Sequence, residues 1–296
     1  MENQLNKKEV IKIGQIVKIA RAFISHLLIS RPKVYWWSVV DRQGFDKENF
    51  GDILTPYIVE KLTGKKPVLF YPDSKFASYF KHCLMVGSII SHSKTNSTVW
   101  GSGIIRKDEK IEGGKFIAVR GPRTAQRLRE LGFPAPDVYG DPAILLPVLY
   151  KPVIHKKYKF GLIAHYIDSD KLTEEIKACP DVHFINLLTH NIETVVNDIL
   201  CCEKIVSTSL HGLIVAHSYG IPATWWKYSN KLSGDDIKFY DYFESVNLHD
   251  QYSNEGKTLQ EVIDSNNYSL PERDQLAGMQ RQLLRTFPYK KNLFNT

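Results

Sequence analysis

Residues 205–226 read IVSTSLHGLIVAHSYGIPATWW, and this stretch decides the fold class. The β-branched pair Ile205 and Val206 opens a strand that runs into three hydroxyl residues, Ser207, Thr208 and Ser209. An apolar helical pattern then starts at Leu210 and continues through Leu213, Ile214 and Ala216, with His211 in its first turn. Gly220 and Pro222 punctuate the helix end, and 223–226 reads as the next buried strand. Strand, helix and strand in that order predict a βαβ crossover within a parallel sheet. The first turn of such a helix offers free backbone N–H groups and the positive end of the helix dipole, a setting that suits an anion. Read as structure alone, the same hydroxyls and His211 cap the helix.

The alternation continues outward from this unit. Strands are predicted at 34–40, 68–71, 84–90, 98–100, 116–119 and 138–139, with helices at 52–62 and 122–131 between them. A basic connector at 151–159 marks a boundary near residue 150. Beyond it come strands at 160–165 and 182–187, helices at 171–178 and 192–202, and a terminal helix at 271–287. With 296 residues and 43% hydrophobic content, the chain is long enough for two cores. The expected fold is α/β, with two Rossmann-like domains facing a cleft in the glycosyltransferase-B manner. The expected divisions are an amphipathic basic helix at 1–33, a first domain at 34–150, a second at 151–270 and a helix at 271–296 crossing back to the first.

The net charge of +7 is unevenly spread. Residues 1–34 hold seven basic side chains against Glu2 and Glu9, a net of +5. Apolar residues there recur every three or four positions from Val10 to Leu28, which makes a basic amphipathic helix. Lys12, Lys18 and Arg21 interrupt it too often for a membrane span, and no small-residue cleavage site follows. Peripheral contact with the inner membrane through residues 1–33 is one expectation, and docking of this helix on the protein's own core is the other. A nucleic-acid partner is not expected, because the other basic residues are dispersed and not interleaved with aromatics. Cys83, Cys179, Cys201 and Cys202 show no CxxC spacing, so neither zinc nor a disulfide framework is expected, and a cytoplasmic location fits.

Several strand-to-helix junctions carry polar residues where ligands of α/β sheets bind. Asn49, Gly51 and Asp52 form one, although Gly51 also suits a plain turn and Asp52 a helix cap. Gly87-Ser88 and Gly101-Ser102-Gly103 form glycine loops that let backbone N–H groups approach a ligand, or that merely turn tightly; neither is a dinucleotide or Walker fingerprint. At Arg120-Gly121-Pro122-Arg123 two arginines stand at a helix start, where cations are disfavoured. An anion gripped by both guanidinium groups explains them, as does pairing of Arg120 with an acid such as Asp141. Asp168-Ser169-Asp170 spells DxD but sits where N-capping accounts for it. His165 and His183 read as strand residues without metal-ligand spacing.

Taken in order, Asn49-Phe50-Gly51-Asp52, Gly87-Ser88-Ile89, Trp100-Gly101-Ser102-Gly103, Val119 to Thr124, Asp141-Pro142-Ala143 and Ser209-Leu210-His211-Gly212 resemble the polysaccharide pyruvyl transferase family. The resemblance implies phosphoenolpyruvate as donor substrate, with no cofactor and no metal. It also implies a sugar acceptor, lipid-linked or polymeric, that receives a pyruvate ketal while phosphate leaves. It places the acceptor on the first domain and the donor on the second. By the same resemblance Arg120 and His211 belong to the donor site. Many members carry arginine where this chain has Ser209, so one anion contact is missing, and Arg123 is the expected substitute. The expected catalytic residues are His211, Asp52 and Asp141. The expected substrate contacts are Arg120, Arg123, Ser209, Leu210, Asn49, Gly51, Ser88, Ser102 and Gly103. Two other readings of the residues are a nucleotide-sugar glycosyltransferase, with a diphosphate at the same helix start, and a non-catalytic, membrane-peripheral scaffold of capsule assembly.

Overall fold

The computed structural model of the chain describes residues 31–289 except 76, 250 and 252. The helix expected over 1–33 therefore lies, as far as residue 30, outside the described residues. In chain order the first half holds β1 (Lys33–Tyr35), α1 (Val39–Gln43), β2 (Glu48–Asn49), α2 (Phe50–Thr63), β3 (Val68–Leu69), β4 (His82–Leu84), β5 (Ser97–Trp100), β6 (Lys115–Ala118), α3 (Pro122–Glu130) and α4 (Leu146–Leu149). The second half holds β7 (Tyr158–Ala164), α5 (Thr173–Ala178), β8 (Val182–Asn186), β9 (Leu188–Thr189), α6 (Ile192–Leu200), β10 (Cys202–Ser207), α7 (Leu210–Ser218), β11 (Ala223–Trp225), α8 (Ile237–Ser245), α9 (Leu259–Asp264) and α10 (Arg273–Thr286).

These elements make an α/β fold with two parallel sheets. The first has the order β3-β1-β4-β5-β6 and the second β11-β10-β7-β8. The crossover at 205–226 is present, because β10 and β11 pair in parallel with Ile205 opposite Ala223 and Ser207 opposite Trp225. A short antiparallel pair fastens the halves together: β2 runs beside β9, with Glu48 opposite Thr189 and Asn49 opposite Leu188. The Phe50 amide then donates to the Leu187 carbonyl at 2.8 Å.

One apolar cluster is continuous across both halves, joining Val34, Phe50 and Trp100 to Ile163, Ile205 and Leu213. Helix α2 contributes Phe50, Leu54, Ile58 and Val59, all fully buried, each side chain worth roughly 1.5–3 kcal/mol of transfer free energy. Helix α10 buries Leu276, Met279 and Leu283 against the first sheet, and the Trp100 indole N–H donates to the Leu283 carbonyl at 3.2 Å.

Several expected elements are shorter or displaced, for local reasons. The strand expected over 34–40 stops at Tyr35, because Ser38 caps α1 by accepting from the Asp41 amide, and the Glu48 carboxylate accepts from Ser38 Oγ and the Val39 amide. The strand over 84–90 stops at Leu84, and Gly87 turns the chain at φ 96°, a conformation that favours glycine. Strand 138–139 is reduced to one bridge, Val119 to Tyr139. Helix α2 starts at Phe50 and not Asp52, which places Pro56 inside it and leaves the Asp52 carbonyl without its helical N–H partner. Cys202 belongs to β10 and not to the preceding helix. Helices α8 and α9 lie in 227–270, where the sequence pattern set no element. Among the described residues no helix is long and apolar enough to cross a membrane.

Candidate active site

Between the two halves lies a cleft of about 280 Å³. Asn49, Asp52, Gly87, Ser88 and His92 line it from the first half, His165, Ser209, Leu210 and His211 from the second, and Lys238 from α8. It opens at the C-terminal ends of parallel strands, where backbone groups are free and helices begin.

His211 is held by packing before any polar contact. It stands in the first turn of α7, and its ring lies so close to Gly51 that a Cβ there would come within 2.0 Å of Nδ1. That is why α2 carries glycine at this position: any side chain would displace the imidazole. Opposite Nε2, at 3.6 Å, stands Asp141 Oδ2. The distance is too long for a hydrogen bond, so Nε2 is buried without a partner and awaits one. Asp141 itself is immobilised. Its Oδ1 accepts from the Ala143 amide at 3.0 Å as the cap of the 3-10 turn Pro142–Leu145, and Oδ2 accepts from the Gly87 amide at 3.4 Å.

Asp52 faces the same cavity. Burial raises its carboxyl from the ordinary range to about 6, against the opposing effects of the Asn49 amide, which donates to Oδ2 at 2.8 Å, and of nearby His211. Asn49 Oδ1 is buried without a hydrogen-bond partner, an acceptor open to a donor such as a hydroxyl. His165 sits just beyond β7. Burial, then Lys238 and His211, push its pKa down to about 3, so the ring is neutral at physiological pH. Its Nδ1 accepts from the Ile167 amide at 3.3 Å, which assigns the proton to Nε2 and makes His165 a donor.

Ser209 stands at the N-cap of α7 without a side-chain cap bond, so the N–H groups of the first turn, from Leu210 onward, stay available. The Ser209 amide is taken by Ser207 Oγ at 3.1 Å, and Gly212 leaves room for that hydroxyl.

The two arginines do not converge on the cleft. Arg120 is fully buried: Nε donates to Asp241 Oδ2 at 3.0 Å, Nη2 to the Ile104 carbonyl at 2.5 Å and Nη1 to Ser88 Oγ at 2.6 Å. Its acid is thus Asp241 on α8 and not Asp141. Thr124 also bonds Asp241, through its amide at 3.0 Å and its hydroxyl at 2.7 Å. Arg123 turns away and pairs with Glu244 Oε1 at 2.6 Å, lining a different surface groove. It therefore does not take the place expected for it beside the anion. Both junction arginines are spent on docking α8, because α8 presents Asp241 and Glu244 three residues apart on one face.

Among the other expected contacts, Asn49, Asp52, Ser88, Ser209, Leu210 and His211 line the cleft, while Gly51 and Asp141 stand directly behind His211. Ser102 and Gly103 do not reach it. Ser102 Oγ donates to the Gly87 carbonyl at 2.8 Å and accepts from the Ile89 amide at 3.2 Å, and so shapes the Gly87 turn. Gly103 makes room for the Arg120 guanidinium, whose Cζ would lie 2.4 Å from a Cβ there. Asp168 makes no cap bond; its Oδ1 accepts from Ser229 Oγ at 2.6 Å. The cleft residues missed from the sequence include two histidines and a lysine: His92, His165 and Lys238. The signal for His165 was its place at a strand end, whereas Lys238 lay in a stretch with no periodic pattern. Among the described residues no three His, Cys, Asp or Glu side chains gather to hold a metal ion.

The profile of the polysaccharide pyruvyl transferase family matches residues 49–230, more than half of the chain. A stretch of 212 residues is 35% identical to "Uncharacterized protein L143" of Acanthamoeba polyphaga mimivirus, covering 69% of this chain and 73% of that protein. No solved structure matches.

Proposed function

Because the chain belongs to the polysaccharide pyruvyl transferase family and is accordingly a transferase, we propose that it moves the enolpyruvyl group of phosphoenolpyruvate onto two hydroxyls of one sugar. The product is a pyruvate ketal on a surface polysaccharide or its lipid-linked precursor. The methylene carbon takes a proton, one sugar hydroxyl adds to C2, and the second displaces the phosphate. Of the two hydroxyl hydrogens lost, one is balanced by the new methyl group and the other by the departing hydrogen phosphate.

The observation that carries this reading is the arrangement of Asp52, His211 and Asp141 around one small cleft inside the matched stretch. His211, backed by the fixed Asp141 carboxylate, is the proton donor toward the methylene carbon or the phosphate oxygen. Asp52, half ionised near pH 6, accepts the proton of an attacking hydroxyl at neutral pH. The open N–H groups of the first turn of α7, from Leu210 onward, face the anion, and Ser88, held by Arg120, orients it. In this reading the two sheets are the Rossmann-like halves of a glycosyltransferase-B fold, with the acceptor over 34–150 and the donor over 151–270. The protein then works in the cytoplasm, with residues 1–33 at the inner face of the membrane.

The test is phosphate release from phosphoenolpyruvate with galactose- or mannose-type oligosaccharides, read together with the product mass. We expect His211→Ala to lower turnover by about 10²–10⁴-fold, and the wild-type rate to rise with pH through about 6 as Asp52 ionises. Undiminished turnover in His211→Ala, or no phosphate release by the wild type with any acceptor, sinks the reading.

A further inference from the structure

Lys238 stands outside the stretch matched by the family profile, which ends at residue 230. Yet it lines the same cleft as Ser209 and His211, and among the described cleft-lining residues it is the single lysine, with no arginine beside it. Its partners do not satisfy it. The ammonium donates to the Ser233 carbonyl at 3.4 Å, a long bond, and no carboxylate among the described residues pairs with it within 4.0 Å. The acids around it are committed elsewhere. Asp236 pairs with Lys227 at 2.9 Å, Asp241 with Arg120 at 3.0 Å, and Asp52 accepts from Asn49.

Its backbone setting is equally unfavourable. Lys238 occupies the first turn of α8, where the helix dipole disfavours a cation. The residue before that helix, Asp236, sits at φ 65°, a left-handed conformation uncommon for a side-chain-bearing residue. The buried Arg120–Asp241 pair, three residues further on, clamps α8 in place, and Gly121 permits the contact, since a Cβ there would come within 2.0 Å of the Asp241 carbonyl oxygen. The arginine of the junction thus acts on the cleft through the helix that carries Lys238. A cation without a carboxylate partner among the described residues, carried into a polar cleft by a helix that a buried network fixes, is arranged for an anion that arrives from outside.

We propose that Lys238 is the phosphate-binding residue of this cleft, its ammonium contacting the phosphate of the donor opposite the open start of α7. Ser209 offers that phosphate a hydroxyl and the first turn of α7 its free N–H groups, but neither brings a full charge, and Lys238 supplies it. The assignment rests on the donor reading above for the identity of the whole donor, but the phosphate seat itself is tested separately. Lysine suits the role because it is a compact point charge that binds phosphate without needing the bidentate fit of arginine.

The experiment is calorimetric titration of the full chain with phosphoenolpyruvate and, in a parallel arm, with inorganic phosphate, for wild type, Lys238→Met and Lys238→Arg. Lys238→Met should raise Kd for both ligands by at least about tenfold. Lys238→Arg should recover most of the loss. A pH series adds a readout that a structural role would not move. Burial and repulsion from Arg120, against attraction from Asp236 and Asp52, lower the Lys238 pKa to about 8. His165 across the cleft is already neutral there. Wild-type affinity should therefore fall as pH rises from 7 to 9.5, and that of Lys238→Met should stay flat.

Unchanged affinity of Lys238→Met for both ligands overturns the assignment and leaves the donor reading standing. Lys238-dependent binding of phosphate, with phosphoenolpyruvate bound no more tightly, upholds the phosphate seat and overturns the donor reading. Wild type that binds neither ligand overturns both.

Discussion

The junction from β10 into α7 and the junction from β6 into α3 are built alike, each a parallel strand that runs through a short turn into a helix whose start bears a basic side chain. At the first, His211 looks into a cleft with Nε2 unpartnered and the helix N–H groups uncapped. At the second, Arg120 is fully buried and bonded to Asp241, Ser88 and Ile104, and Arg123 is bonded to Glu244. The difference lies in what covers each helix start. Over α3 lies α8 with its two acids, so the charge is consumed within the fold. Over α7 lies the cavity. A basic residue at a helix start marks an anion site only when no other element of the chain brings the anion.

The largest effect is expected of Arg120→Ala. It leaves Asp241 buried and uncompensated at 0% exposure, so we expect a loss of about 3–5 kcal/mol in stability by denaturant unfolding. A loss under about 1 kcal/mol would mean that the junction is not a structural clamp. Next comes Gly51→Ala, which pushes a Cβ into the His211 ring. It should lower turnover by about 10²-fold while Kd for the donor moves little, because an ångström of misplacement is enough. Wild-type turnover in this variant would show that His211 does not need its packed position.

A smaller effect attaches to Asp52. Its folded pKa of about 6 lies above the ordinary carboxyl value of 3.8. The folded state therefore binds the proton more tightly, and the ionised form carries a penalty that grows as pH rises through that window and is complete above it. Asp52→Asn should be more stable than wild type by roughly 1 kcal/mol at pH 8, with the gap closing below pH 4. Thermal unfolding at several pH values measures this, and a pH-independent gap would contradict it. The smallest effect belongs to Arg123→Ala, whose ion pair is about a third exposed on both sides. It should change stability by no more than about 1 kcal/mol and leave donor affinity as it was. A tenfold loss of affinity there would return Arg123 to the cleft.

Much of the cleft was legible beforehand because its residues sit where periodic elements meet. The hydroxyl run 207–209 ends a β-branched strand and His211 opens an apolar helix, so their place at a sheet edge followed from pattern alone. Asn49 and Asp52 were placed near a helix start by the same means, although Asn49, and not Asp52, occupies the cap position. Lys238 was not legible. Helix α8 reads IKFYDYFES, and its Asp241 is fully buried, so the usual polar face is not polar there. Its partners are more than a hundred residues away, and nothing local announces them. Ser102 and Gly103 were legible as a loop but not as support, since Ser102 holds the Gly87 turn, fifteen residues earlier, and Gly103 makes room for the Arg120 guanidinium.

The α/β class, the crossover at 205–226 and the family can be read from the chain alone, because they rest on local periodicity and on ordered short motifs. Tertiary structure alone decided which polar residues share a cavity. It turned Arg120 and Arg123 onto the acids of α8, one in the interior and one at the surface, and packed His211 against a bare glycine before the Asp141 carboxylate. It also left Lys238 in the cleft as a cation with no carboxylate partner among the described residues. The physical reason is that a charge is available for chemistry only if nothing else in the fold neutralises it, and neutralising partners arrive from anywhere along the chain.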